Sequence, residues 1–403
     1  MTFISRRALL MAAGVMSTLL LFTIDRIKVD ELLKQNARVQ KSYGSVPLVS
    51  APEQASTEQE QHGGRKKGHG RGHGRGHGHD PEEFPRKAFP GFNVEEIDDF
   101  RYQIIATSGA LKKMYVAKSN IPDRSVRLTM GGKRGKEAPK ADIPPAIYNS
   151  LPLSHTESGS LQGIFEHKAK YQSCSVVGNA GSLIDSGCGR QIDSSDYVIR
   201  CNFPPVGGEY AKDVGKKTDF LSVNPSLFQT IYKNFKNDTY KEMFISDMRE
   251  YGLSILYTHP YRLAKHVKTC YRAHEILLEA GIADISKFSH PQFLNGVTEF
   301  WKGLELKEAR PSTGSLLLTA IAMTKCKEVT LYGFWPFPTY YGQERPFHYF
   351  DRPVIWNMQF DDKSLERDLL TNMNPFHDLT EEFVLLNKLH EKGVLKLQIG
   401  TCG

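Results

Sequence analysis

The sequence predicts an α/β protein with a mostly parallel sheet flanked by helices, and three observations carry that prediction. Strand-length apolar runs at 175–179, 197–202, 218–223, 252–258, 329–334 and 394–399 alternate with helical stretches at 225–235, 260–281, 312–325 and 380–392. Cys174–Gly181 reads as a short buried strand entering a turn of small residues, and a second strand follows from Asp196 to Asn202. Strand, turn and strand of this kind open nucleotide-binding α/β folds, although the GxGxxG dinucleotide fingerprint is absent. Finally, Pro311-Ser312-Thr313-Gly314 stands at the start of an apolar helix that leads into the strand at 329. Free backbone N–H groups, two hydroxyls and the positive end of the helix dipole converge there, which makes an anion site at the edge cleft of the sheet.

At the amino end, Arg6 and Arg7 precede an uncharged run from Ala8 to Ile24, and Asp25 and Arg26 follow it. The run is at the short end for a membrane span. Positive charge in front of it predicts a cytosolic N-terminus and a lumenal remainder, with a cleaved signal peptide as the competing reading. Residues 1–28 are therefore read as a cytosolic tail and signal anchor. Residues 29–90 are polar, with too few apolar side chains for a core, and read as a disordered stem rich in His, Gly and Arg. Its Gly68–His79 repeat has a composition that can bind transition metals, but a low-complexity linker is the plainer reading. Residues 91–160 read as a partly ordered, stem-proximal segment, with enough apolar content for a helix between Phe100 and Val116. The catalytic domain is expected at 161–403.

The chain has 403 residues and a formal charge of +7. Much of the excess lies between Lys112 and Lys140, where nine Lys/Arg face two acids. A solvated basic face is the ordinary reading of such a run, and contact with acidic glycans or headgroups is the functional one. No nucleic-acid motif accompanies the charge, so nucleic acid is not an expected partner. Six cysteines stand at 174, 188, 201, 270, 326 and 402, with no CxxC or Cys/His zinc spacing. On a lumenal topology disulfides are permitted, but spacing cannot pair them. Asn237-Asp238-Thr239 is the one N-glycosylation sequon, because Asn224 is followed by Pro225. Near the carboxyl end, His377-Asp378-Leu379-Thr380-Glu381-Glu382 sets an imidazole beside carboxylates, the pairing of a general base and its orienter.

Taken together, these segments resemble the animal sialyltransferases, and within them the α2,8-sialyltransferase branch. Residues 174 to about 221 resemble the large sialylmotif, and 310–337 the small one. His348-Tyr349-Phe350-Asp351 resembles motif III, and His377–Glu382 the very small HxxxxE motif. The resemblance spans roughly 165–402, with the four motifs in family order. It implies a Rossmann-like, modified GT-A glycosyltransferase fold, a Golgi address as a single-pass type II membrane protein, and CMP-sialic acid as donor. It further implies that His377 is the catalytic base and that His348 meets the leaving phosphate. Ser312, Thr313 and Gly314 would form the donor turn, and Asn179 and Asn202 would contact the nucleotide. Trp335 would lie near cytidine and ribose, with a plain core tryptophan as the alternative. The implied disulfides are Cys174–Cys326 and Cys188–Cys402, leaving Cys201 and Cys270 as buried thiols. Glu382 takes a structural role.

No DxD motif precedes a donor site: Asp361-Asp362 and Asp98-Asp99 are adjacent pairs. Protein donors must then meet the phosphate charge, so no metal or other cofactor is expected, as in the family. Direct displacement inverts the anomeric centre. One departure is the separation of His348 and His377 by 29 residues, longer than is usual in the family, with a charged insertion at about 353–374. It could displace His348 and reshape the acceptor entrance. Residues 141–173 hold few basic side chains, unlike the segment preceding the large motif in polymer-building members. Addition of one or a few sialic acids to a sialylated glycoprotein or glycolipid glycan is therefore expected. A homodimer stays open, as do an α2,6 or α2,3 linkage and a non-catalytic glycan- or CMP-sialic-acid-binding paralogue.

Overall fold

The computed structural model describes residues 87–129, 138–154, 171–304, 314–337, 339–341, 343–351 and 379–402. Seven strands form one sheet: β1 (Tyr171–Val177), β2 (Tyr197–Cys201), β3 (Phe220–Val223), β4 (Ile255–Thr258), β5 (Ser286–Phe288), β6 (Cys326–Tyr332) and β7 (Lys396–Gln398). Their order is β7-β6-β1-β2-β3-β4-β5, and every neighbouring pair is parallel. Side chains alternate between two buried faces, as expected of a parallel sheet covered on both sides. In β2, Tyr197, Ile199 and Cys201 enter one core while Val198 enters another; in β3, Phe220 and Leu221 divide the same way.

The first face is covered by α1 (Val94–Ser108), α5 (Pro291–Gly303), α6 (Leu316–Lys325) and α7 (Leu379–Glu391). The other carries α2 (Pro225–Thr230), α3 (Asp238–Glu250) and α4 (Ala264–Glu279). All ten residues of α6 are buried, which its apolar circumference requires. At its carboxyl end Arg101 of α1 donates from Nε to the Met323 carbonyl at 2.9 Å and from Nη2 to the Cys326 carbonyl at 2.6 Å. A guanidinium there satisfies orphan carbonyls and the negative end of the helix. Helix α1 is itself closed by Asn93, whose Oδ1 accepts from Glu96 N at 3.3 Å, and by Gly109 in the left-handed region.

These contacts move the domain boundary. Residues 94–151 were expected to lie mostly outside a catalytic domain beginning at 161. Instead Ile97, Phe100 and Ile104 share a core with the sheet, and Val116, Val126, Ile147 and Leu151 enter the core on the opposite face. Apolar helix and turn residues upstream complete a sheet that the strands alone would leave uncovered. The chain just before α1 is docked as well: Asn93 N donates to the Gly393 carbonyl at 3.0 Å, and Phe89 stacks on His390 with ring centroids 5.1 Å apart.

The edge cleft also needs correction. Strand β6 lies one position inside the edge because β7 adds outside it, so strand order reverses between β6 and β1. The cleft opens in the interior of the sheet, where ligands bind in open α/β folds. Elsewhere, the helix expected at 225–235 stops at Thr230, and Lys233, Asn234 and Phe235 turn to positive φ. The helix expected from 260 begins at Ala264, after a 3₁₀ turn from Pro260 to Arg262. The structure joins Cys174 to Cys326 and Cys188 to Cys402, the pairs the family resemblance implies, and leaves Cys201 and Cys270 free and buried. Among the described residues no helix is long and apolar enough to cross a membrane, and the expected anchor and all of the expected stem but residues 87–90 lie outside them.

Candidate active site

The turns after β1, β2 and β6 meet at the carboxyl end of the sheet. A Cβ on Gly178 would come within 2.3 Å of the Gly333 carbonyl oxygen, and Gly333 itself has φ +67°. Only glycine permits this backbone-to-backbone approach. It is tied by Gly178 N donating to the Tyr332 carbonyl at 2.7 Å and Ala180 N to the Gly333 carbonyl at 3.1 Å. The segment holding His348 then pairs with the same turn. Ala180 and His348 form an antiparallel bridge, Tyr349 N donates to the Asn179 carbonyl at 2.8 Å, and Gly181 N donates to the Phe347 carbonyl at 3.3 Å. The long insertion therefore has not displaced His348 from the β1 turn.

Two further contacts fix the His348 ring. Nδ1 lies 3.0 Å from Asp351 Oδ2, which also accepts from His348 N at 2.8 Å. The ring stacks on Phe350 with centroids 5.0 Å apart and planes 4° off parallel. A carboxylate at Nδ1 selects the tautomer and leaves Nε2 for a ligand.

Asn179 is buried and donates from Nδ2 to the Cys201 carbonyl at 3.2 Å, while its Oδ1 has no partner among the described residues. A buried amide oxygen left unpaired is costly, and a ligand donor would relieve it. Asn202 sits at φ +66°, and its Oδ1 accepts from Asn224 N at 3.1 Å, so this side chain holds the turn after β2. Gly314 lies over the end of the same strand, where an added Cβ would stand 3.4 Å from Cys201 Sγ. Burial pushes the Cys201 thiol up to about 12, which keeps it neutral beneath the cleft.

The sequence profile of Glycosyltransferase family 29 (sialyltransferase) matches residues 146–394. The chain belongs to this family. It is a glycosyltransferase. The chain is 31% identical over 311 residues to the mouse protein named Alpha-2,8-sialyltransferase 8F, covering 76% of this chain and 69% of that one. It is 34% identical over 254 residues to the bovine Alpha-N-acetylneuraminide alpha-2,8-sialyltransferase, covering 62% and 66%. A crystal structure of a mammalian sialyltransferase in complex with Gal-beta-1-3GalNAc-ortho-nitrophenol aligns at 20% identity over 79% of this chain and 93% of that one. Its TM-score is 0.38, and the family assignment does not rest on it.

Of the expected sialyltransferase site residues, Asn179, Asn202, Gly314 and His348 gather at the ends of β1 and β2. Trp335 is buried beyond β6, edge-on to Phe337, Tyr340 and Phe383 at 5.0–5.4 Å. That packing is the core-tryptophan alternative, and it ties the β6 end to α7. His377, Ser312 and Thr313 lie outside the described residues. Asn237 is exposed and caps α3, its Oδ1 accepting from Tyr240 N at 3.3 Å. Among the described residues no group of three or more His, Cys, Asp or Glu is placed to hold a metal ion.

Two partners escaped the sequence reading. Asp351 orients His348, and its i, i+3 spacing within His348-Tyr349-Phe350-Asp351 was the available signal. Ser315 donates its hydroxyl to the buried Glu382 carboxylate, and nothing local in the sequence pairs residues that far apart.

Proposed function

We propose that this chain transfers sialic acid from CMP-sialic acid to the 8-hydroxyl of a terminal sialic acid on a glycoprotein or glycolipid glycan, adding one or a few residues. Its fold is then a Rossmann-like variant of the GT-A class. Family membership and the α2,8 names of its relatives support the reaction. The observation that carries the site is the pairing of the His348 segment onto the Asn179 turn, so that an oriented imidazole and an unpaired buried amide oxygen share the strand-order reversal.

In the proposed reaction the acceptor O8 attacks the anomeric carbon as its proton passes to neutral His377. The bond from that carbon to the phosphate oxygen breaks, and CMP leaves with the electron pair. With Nδ1 protonated toward Asp351, His348 can donate from Nε2 only as the imidazolium. That form offsets the charge gained by the departing phosphate. Backbone and hydroxyl donors of Ser312, Thr313 and Gly314 hold the donor's anionic groups, and Asn179 and Asn202 contact the nucleotide. Attack opposite the leaving group inverts the centre from β to α. The reaction runs without a metal. The enzyme is further placed in the Golgi membrane through residues 1–28, catalytic domain lumenal, with a glycan on Asn237.

The test is full-length protein in detergent with labelled CMP-sialic acid and sialylated acceptors, with and without chelator, followed by linkage analysis. An α2,8 product that forms undiminished in chelator is expected. An α2,6 or α2,3 product, or none, overturns the reading. His377→Ala should lower transfer by about 100-fold or more while CMP binding persists, the scale of a lost general base. Full turnover by that variant removes His377 from the mechanism.

A further inference from the structure

A short hairpin follows β6, pairing Thr339–Tyr340 with Gln343–Glu344, and its chain runs directly into the His348 segment. Arg345 stands between the two. From Pro346 onward the chain is held: a Cβ on Gly181 would strike the Pro346 carbonyl, Gly181 N donates to the Phe347 carbonyl at 3.3 Å, and His348 pairs with Ala180. Arg345 itself is half-buried and spends little of its guanidinium. Nη2 donates to the neutral Gln343 Oε1 at 3.1 Å, and Nε is shielded from solvent with no partner among the described residues. Nor does Arg345 form an ion pair among them: the Asp185 carboxylate, whose charge it feels, is taken by Lys212 at 3.0 Å. Arginine offers its donors in a rigid fork that fits a carboxylate, and leaving them idle and partly buried is costly.

The order along the docked stretch indicates what the fork meets. Tyr349 is tied to Asn179, His348 to Ala180 and Phe347 to Gly181. Arg345 therefore follows at the end away from the unpaired Asn179 amide, with His348 between, and three residues of chain span at most about 10 Å. Gly314 of the donor turn stands on the Asn179 side, over Cys201. With nucleotide and donor turn on that side and the phosphate at His348, a carboxylate at Arg345 comes from the acceptor. Sialyl transfer onto a sialic acid brings two anions together, and a fixed cation beside the acceptor offsets their repulsion. In the same hairpin Tyr341 is 75% exposed at φ +48°, an uncommon conformation for a bulky residue and one that clusters at ligand clamps. It holds an aromatic face in solvent, edge-on to Tyr340 at 4.6 Å, against which the apolar side of a sugar ring can lie.

We infer that Arg345 grips the carboxylate of the terminal sialic acid that receives the new residue, with Tyr341 as a wall of the same subsite. The inference rests on the reading of this chain as an α2,8-sialyltransferase.

The experiment uses full-length protein in detergent and two acceptors that differ at one group: a sialylated acceptor, and its analogue with the terminal carboxylate converted to a carboxamide. kcat/KM for each acceptor and KM for CMP-sialic acid are measured in wild type, Arg345→Gln, Arg345→Lys and Tyr341→Ala. Wild type should prefer the carboxylate by about 10- to 100-fold, the scale of a charge-assisted pair. Arg345→Gln should shrink that preference to less than about threefold, while KM for CMP-sialic acid changes less than about threefold. A residue that only supports the fold would depress both acceptors alike. Arg345→Lys keeps the charge but loses the fork, so its preference should fall between the two. Tyr341→Ala should lower kcat/KM by about 2- to 10-fold for both acceptors, and unchanged kinetics remove it from the subsite. If Arg345→Gln does not fold, Arg345→Lys decides: a preference reduced by about threefold or more supports the pair, and an undiminished one overturns it. An active wild type indifferent to the carboxamide, or an Arg345→Gln that keeps the wild-type preference, overturns the inference. A loss confined to KM for CMP-sialic acid assigns the guanidinium to the donor and overturns it too. A wild type that sialylates neither acceptor overturns the proposed function itself, a result distinct from all of these.

Discussion

His259 shows why a histidine at a strand end need not be catalytic. It follows β4, accepts or donates at Nε2 to Ser222 Oγ at 3.0 Å and at Nδ1 to Ser289 Oγ at 3.1 Å, and is fully buried. Burial lowers its pKa from 6.5 to about 3, while His274 and His290, also buried, fall to about 4. An unfolded chain binds these protons near the ordinary value and the folded one does not. Stability is therefore complete above about pH 6.5 and is lost as pH falls toward 3. The melting temperature should decline across that window, and His259→Asn should flatten the decline. An equally steep decline in that variant would exclude His259 as a source. His348 differs in being half-exposed, stacked and paired with Asp351. The motif resemblance singled this histidine out, but its docking onto the β1 turn became visible only in the fold.

At the scale of elements, the long apolar strands and α6 were readable because burial on every side leaves an unbroken hydrophobic run. Strand β5 was not, since Ser286-Lys287-Phe288 is three residues long and carries a lysine into the interior. Helices α3 and α5 were also missed: polar residues outnumber the apolar stripe in α3, α5 carries Pro291, Gly296 and Gly303, and tertiary packing rather than propensity holds both. Arg101 is the contact through which α1 closes α6. Arg101→Met should cost about 2–4 kcal/mol, read as a lower denaturation midpoint, because two buried carbonyls lose their donor. The Asn237 cap gives a cleaner separation of effects. Asn237→Asp and Asn237→Ala should both abolish a glycosidase-sensitive gel shift. Only the alanine variant should lose about 1 kcal/mol, since aspartate still caps α3. Loss of stability in both would assign it to the glycan.

Across the whole molecule, two disulfides close separations of 152 and 214 residues and bind β6 and the carboxyl end to the β1–β2 region. In the chain-entropy view each restricts the unfolded chain by up to about 5 kcal/mol. Where the folded unit begins was not legible, because residues 94–154 carry no motif and reveal their place only by filling the two cores. The same docking has a directional result. Lys87–Asn93 runs beside the turn at His390–Gly393, which lies just upstream of β7 and therefore at the amino ends of the parallel strands. The cleft around Asn179 opens at their carboxyl ends. The chain therefore enters the described unit at one pole of the sheet, and the cleft opens at the opposite pole.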